Sequence, residues 1–405
     1  MDTGDTAWVL TSAALVLFMT PGLALFYGGM VRSKNVLAML MKNYVAMGVV
    51  TITWIVIGFS LAFSGDVGGV IGNLNLWGMR DVGLENEIFG YTVPDNAFAM
   101  FQFMFAIITP ALIAGAVAER IKFSAWVIFI AVWSLVVYAP MAHWVWGGGF
   151  IGVDLQAIDF AGGLVVHINA GVAALALVLV LGPRLGFRRE VMRPHSLPLT
   201  VLGAGMLWFG WFGFNAGSAL SAGGGAANAF LTTHVAAAVA ATCWVIAEQM
   251  THGKPTTLGF ASGAVAGLVA ITPAAGFVGP LSAIVIGAAA GFICFWALRL
   301  KFRFNFDDSL DVIAVHLVGG IIGALLLGLL AESRIGGRDG LFFGEPMQFV
   351  RQAASVAIAV GYSFVVSYVL ARILHATIGL RPSEADERAG LDLTLHEEQG
   401  WVLAE

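Results

Sequence analysis

Two histidines, His167 and His316, stand inside apolar runs of this 405-residue chain, and each follows an aspartate by eight positions. Asp159-Phe-Ala-Gly-Gly-Leu-Val-Val-His167 and Asp308-Ser-Leu-Asp-Val-Ile-Ala-Val-His316 share the Asp, the spacing and the valine immediately before the His. Ionisable groups in apolar surroundings are expensive and mark pathways by default. A neutral imidazole pair both donates and accepts hydrogen bonds, so it could pass a small polar molecule or relay a proton. The plain alternative for either one is a neutral, hydrogen-bonded packing residue. No further His, Cys or carboxylate falls at the same depth, so no metal site is expected. Asp159 and Asp308 sit at helix starts, where Asp commonly caps free backbone N–H groups. Asp311, one turn further in, is expected to shape the vestibule on its side.

A second group is aromatic: Phe105, Trp146 and the run Trp211-Phe212-Gly213-Phe214-Asn215-Ala216-Gly217-Ser218. Interfacial aromatics are usually belt anchors. Aromatic rings beside a hydroxyl and a nearby Asp also make a cation cage, at roughly 0.5–2 kcal/mol per ring.

The elements that must position these residues are membrane helices. Hydrophobic residues make up 59% of the chain and charged ones 11%, against about 25% charged in soluble domains. Apolar runs long enough to cross a core of roughly 30 Å predict helices near 7–30, 36–63, 96–117, 123–142, 164–182, 197–218, 229–250, 257–272, 280–300, 310–330 and 349–375. One set of helix ends, including Arg32, Lys34, Arg120, Arg184, Arg188 and Lys301, carries sixteen Lys and Arg; the other carries four: Arg80, Arg334, Arg338 and Arg351. The positive-inside bias then puts the N-terminus outside and the C-terminus in the cytoplasm. A segment over 64–95 is expected to fold over the outer face, and the acidic stretch 377–405 is a tail, not a span. Cys243 and Cys294 fall inside helices and form no disulfide framework. The acidic start, Met1 to Trp8, does not resemble a signal peptide.

The Asp–His echo joins the fifth and tenth helices, and Ile108-Thr109-Pro110 with Ile271-Thr272-Pro273 joins the third and eighth. A repeat of five helices is odd, so the second copy enters upside down, which places substrate sites near the midplane. Eight helical residues rise about 12 Å, so each His arrives near mid-membrane from its own side. The fold class is therefore all-α integral membrane: eleven transmembrane helices, an inverted five-helix repeat (7–182 and 197–330) plus an eleventh helix at 349–375. Residues 1–376 form the membrane domain, and 377–405 a cytoplasmic regulatory tail.

At these residues the chain resembles the ammonium transporter (Amt/Rh) family, in its Amt branch. The carrying motifs are Pro21-Gly22 to Phe26-Tyr27-Gly28-Gly29, Gln102 to Phe105, Ala118-Glu119-Arg120, His143-Trp144-Val145-Trp146-Gly147-Gly148-Gly149, Asp159 to His167, Gly210-Trp211 to Ser218, and Asp308 to His316. The resemblance implies a homotrimer in the cytoplasmic membrane with one pore per subunit, no cofactor, no enzymatic activity and no nucleic-acid partner. Trp146, Phe105 and Ser218 would bind ammonium, and Phe105 and Phe214 would be stacked rings closing the pore. His167, His316 and Trp211 would line it, and Asp159 would support the outer site structurally. Ammonium or ammonia is the implied cargo, with deprotonation at the mouth and a His relay making transport electrogenic. The alternative within the resemblance is an ammonium sensor that binds with little flux; a channel for water or another neutral solute leaves the aromatic, acidic mouth unexplained. The tail departs from the family: Gly390-Leu391-Asp392 to His396 follows its pattern, but Glu397-Glu398-Gln399-Gly400-Trp401 replaces the usual His-Gly-Glu. A PII-type signal protein on the cytoplasmic face is an expected partner whose docking this departure puts in question. His195, His234, His252, His375 and His396 have no partner assignable from sequence.

Overall fold

In the computed structural model, which describes residues 1–401, the chain is a helical bundle. Among the described residues, ten helices are long and apolar enough to cross a membrane: α1 Thr3–Met30, α2 Ser33–Phe63, α3 Asp95–Ile113, α4 Phe123–Val145, α5 Gly163–Leu181, α6 Leu197–Gly217, α7 Gly224–His252, α9 Pro280–Arg303, α10 Ile313–Leu330 and α11 Pro346–Thr377. Between α7 and α9 lies a shorter apolar helix of 15 residues, α8 Thr257–Ile271. Two short helices follow in the tail, α12 Glu384–Ala389 and α13 Leu391–His396.

Small residues let these helices approach closely, as expected where lipid offers no hydrophobic drive between them. Along the α1–α6 seam, a Cβ on Gly203 would lie 2.2 Å from the Phe26 nitrogen. Against α7, one on Gly287 or Gly291 of α9 would meet the Ala236 or Ala240 oxygen at 2.5 Å.

Several limits shift by a few residues, the start of α7 to Gly224 instead of 229 and that of α1 to Thr3 instead of 7 among them, and two shifts bear on the site. α3 ends at Ile113 instead of 117, and the chain turns through 114–118 before Glu119 adopts φ 68°. α10 begins at Ile313 instead of 310 because Asp311, at φ 63°, breaks the helical path. Four spans also contain a π-helical turn, at Trp54–Gly58, Ser134–Tyr138, Gly163–Ile168 and Ile313–Val318. Such wide turns cluster at functional positions.

The 64–95 segment carries a small antiparallel hairpin, β1 Asp66–Val67 with β2 Ile71–Gly72. It closes onto α3 through Asp95, whose carboxylate accepts from the N–H groups of Glu87, Ile88 and Phe89. At the opposite end the tail is docked. The Asp392 carboxylate accepts from Leu37 and Ala38 N–H near the start of α2, and Leu391 N–H donates to Asn35.

Candidate functional site

The two histidines meet. Their Nδ1 atoms are 3.2 Å apart, with ring centroids at 5.3 Å, although 149 positions separate them in sequence. Both sit in a π-helical turn, Gly163–Ile168 and Ile313–Val318, and an Asp four or five residues ahead of each turn accepts from the N–H groups at its start. Asp159 accepts from the N–H groups of Gly162, Gly163, Leu164 and Val165; Asp308 accepts from Val312 and Ile313. Burial pushes the Asp159 carboxyl up, against the pull of those four N–H groups. Burial, then the neighbouring Asp311 carboxylate, pushes Asp308 up to about 7.

Glycines make the encounter possible. A Cβ on Gly171, four residues past His167, would lie 2.5 Å from the nitrogen of Leu317, next to His316. Reciprocally, one on Gly320, four past His316, would lie 2.9 Å from Ile168 Cγ1, next to His167. Each helix thus presents a bare patch to the residue following the other histidine.

Along one direction from the pair lie the aromatic candidates. Trp211 is stacked beside His167 at 5.4 Å between centroids and donates from Nε1 to Thr272 Oγ1. Phe214 is 6.0 Å from His167 and 4.3 Å from Phe105. The Phe105 and Phe214 rings are tilted by 43°, not parallel, so they meet as a wedge and not as a face-to-face stack. Past them opens a cavity of about 280 Å³ lined by Gln102, Phe105, Trp146, Ser218, Tyr91 and neighbours. Trp146 meets Phe105 edge-on at 6.0 Å and donates from Nε1 to the Asp159 carbonyl. Ser218 Oγ donates to the Phe214 carbonyl, which leaves its lone pairs available as acceptors. The three expected cage residues therefore share one cavity, and the Asp159 side chain is turned away into its cap.

The space between the phenylalanines and the histidines is narrow and apolar, about 10 Å³ bounded by residues such as Leu23, Ile108, Leu112 and Val265. Beyond His316 a second cavity of about 110 Å³ opens, with Glu248, Ser262 and Asp311 on its walls. Asp311 pairs with Lys301 at 2.6 Å, consistent with a role at this vestibule.

Several contributors have no role in the sequence reading. Gln102 lines the first cavity, Glu248 binds Thr256 on the second, and Asn169 accepts from Ser363 on α11 to brace α5. Thr272 belongs to the Thr-Pro echo, which signals its place; a lone Glu248 at the end of an apolar helix is the only trace of its role. Among the remaining histidines, His195 Nδ1 pairs with the Val31 carbonyl. His234 packs on Trp208, His252 on Phe295 and His396 on Phe123.

Residues 7–401 match the profile of the Ammonium Transporter Family. The ammonium transporter of Mycobacterium tuberculosis H37Rv is 50% identical over 434 aligned positions, covering 100% of this chain and 91% of that protein. Amt1 of Archaeoglobus fulgidus is 46% identical over 402 positions, covering 99% of this chain and all of that one. The crystal structure of Candida albicans Mep2 superposes with a TM-score of 0.90 at 35% identity, over 95% of this chain and 87% of that one. A structure named Sensor Amt Protein also reaches 0.90, at 29% identity, over 97% and 98% of the two chains. A full-length profile match, relatives near half identity and a shared helical architecture place this chain in the ammonium transporter family.

Proposed function

We propose that this protein carries ammonium across the cytoplasmic membrane by splitting it at the Trp146 cavity and passing ammonia and the proton separately past His167 and His316. The observation that carries the reading is the 3.2 Å Nδ1–Nδ1 contact, set between two cavities on opposite sides of a narrow apolar stretch.

A bare ammonium ion in that stretch would lose its hydration without replacement, at a cost of many kcal/mol. At the cavity mouth the faces of Trp146 and Phe105 and the lone pairs of Ser218 offset part of that loss. Deprotonation there leaves neutral ammonia, which passes the Phe105–Phe214 wedge. Potassium has no proton to give up and is excluded. The proton takes the histidines. With both rings neutral, an Nδ1–Nδ1 hydrogen bond holds one proton between two nitrogens, so one ring donates and the other accepts. Moving that proton across, with compensating exchange at the Nε2 atoms, transfers charge and makes transport electrogenic.

The same proposal covers the assembly. Eleven spans arise as an inverted repeat of five plus one, supported by the matched Asp caps and π-helical turns at α5 and α10. The Trp146 face is outside and the tail cytoplasmic, the protein is a homotrimer, and 1–376 is the membrane domain. Residues 377–405 are a regulatory tail whose face offers a PII-type protein a docking site.

Solid-supported-membrane electrophysiology on purified protein tests the core of this. Replacing His167 and His316 together by an apolar pair should abolish the ammonium-evoked current or admit potassium. Unchanged current with unchanged potassium exclusion would sink the relay. Ammonium binding by the wild type without any current would instead favour a sensor.

A further inference from the structure

His143 lines none of the three cavities described above, and both of its ring nitrogens face acceptors. Nδ1 is 3.0 Å from the Ala62 carbonyl oxygen, and Nε2 is 2.9 Å from Asp66 Oδ1. A carbonyl and a carboxylate only accept, while a neutral imidazole carries a single N–H. In either neutral tautomer one lone pair would therefore confront an oxygen lone pair at hydrogen-bond distance. Only the imidazolium satisfies both contacts. The hydrogen bond from His143, then that from Gly69 N–H, holds the Asp66 carboxyl below its usual range, which keeps it an acceptor.

The ring is fully buried, whereas the Asp66 side chain is 39% exposed on the face assigned outside. On the far side of the hairpin turn, Asp154 Oδ2 lies 3.9 Å from where a Cβ on Gly69 would stand. So the ring is sealed in protein while the charge it depends on is open to outside solvent.

The same residue organises the turn that carries Trp146. The His143 carbonyl accepts from Gly147 N–H at 3.0 Å and Gly149 N–H at 2.9 Å, and Trp146 N–H donates to Ala142. Gly147 packs so tightly on Ala62 that a Cβ there would be 1.9 Å from its carbonyl oxygen. Pinning the ring to Ala62 and Asp66 thereby pins the end of α4 to the end of α2 and the hairpin.

We propose that His143 is a positioning residue for ammonium capture: clamped as an imidazolium between Ala62 and Asp66, it holds Trp146 against Phe105, so affinity at this cavity falls as outside pH rises. The inference rests on the reading of the Trp146 cavity as the ammonium site. Raising pH removes one ring proton, one of the two contacts turns repulsive, and the Trp146 turn loosens.

The test is ammonium-evoked current from the full protein in proteoliposomes at outside pH between about 5 and 8, the interval in which imidazoles ordinarily change charge. Half-saturating concentration is expressed as ammonium ion. For the wild type it should rise with pH while maximal current holds. Asp66→Asn should flatten that dependence, because an amide N–H can donate to a neutral His143 whose Nδ1–H still serves Ala62. Asp66→Ala should raise half-saturation even at acid pH by about threefold to tenfold, inside the roughly twofold to thirtyfold span that a displaced cation–π ring covers. A flat wild-type profile, an Asp66→Asn profile that follows the wild type, or an Asp66→Ala variant matching the wild type at acid pH would each overturn the proposal. Trp146→Leu, measured alongside, separates the two levels. If it is silent, the ammonium site itself is misassigned; if it weakens saturation while the Asp66 variants behave as wild type, only the role of His143 fails.

Discussion

Asp159 spends its whole carboxylate on the backbone. Four N–H groups at the start of α5 converge on its two oxygens, Gly162 and Gly163 on one, Leu164 and Val165 on the other. That arrangement leaves nothing to offer a passing cation, so its service to the Trp146 cavity runs through its own backbone carbonyl, which receives Trp146 Nε1. Asp159→Ala should therefore act on stability first. Leaving buried donors without a partner costs roughly 1–3 kcal/mol for a site of this kind, so the melting temperature in detergent should drop clearly. Asp159→Asn keeps one acceptor oxygen and should fall between. A stable Asp159→Ala protein with altered half-saturation only would reverse this assignment. Both roles of an Asp, cap or charge, are compatible with the sequence; only the four donors around it separate them.

At the scale of elements, the site is a crossing of two helices that each leave a gap for the other. Gly171 on α5 and Gly320 on α10 face Leu317 and Ile168, the residues immediately after the opposite histidines. The π-helical turns widen both backbones at the same level. Gly171→Ala would place a methyl 2.5 Å from a backbone nitrogen, which cannot yield without moving the helix. We expect a loss of about 1–3 kcal/mol, typical of overpacking, and ammonium current reduced because the Nδ1 atoms part. Thermal unfolding and current on the same preparation check this; full current from a destabilised variant would show that the histidines need not touch. Hydropathy marks α5 and α10 in sequence and the Asp–His echo sets them in correspondence. The wide turns leave no such trace, because one extra residue in a turn changes hydrogen bonding without changing composition.

For the whole molecule, the tail end is held by charge. Glu119 binds Arg32 and Arg184, and Arg184 also pairs with Asp307, which joins the segments after α1, α3, α5 and α9. Burial alone would raise Glu119 and Asp307, yet their arginine partners hold both carboxyls below the usual range. Depressed acids of this sort stabilise the fold above the unfolded pKa, and the contribution is lost as pH falls through the lowered folded values. The tail fastens beside this network through Asp392 on the start of α2, Arg381 Nη1 donating to the Leu181 carbonyl, and Lys34 Nζ donating to the Arg388 carbonyl. Asp392→Ala removes the acceptor for two N–H groups and should free α13 to limited proteolysis while the membrane bundle keeps its melting temperature. A tail still protected in that variant would mean the remaining contacts suffice. Gly390-Leu391-Asp392 was recognisable as a family pattern, but nothing in its composition says that it caps a helix more than 350 positions earlier.

Taken by itself, the sequence determined what solvent summation can decide. Apolar windows specify helices because transfer energies add locally, the Lys and Arg imbalance supports an orientation, and the Asp–His spacing puts the two histidines in correspondence. The ring-to-ring meeting of His167 and His316, the tilt of Phe105 on Phe214, and the clamp on His143 were decided only in the tertiary structure. Each depends on a gap of a few tenths of an ångström between residues far apart in the chain. Close packing sets such gaps cooperatively, and no local pattern of residue types encodes them.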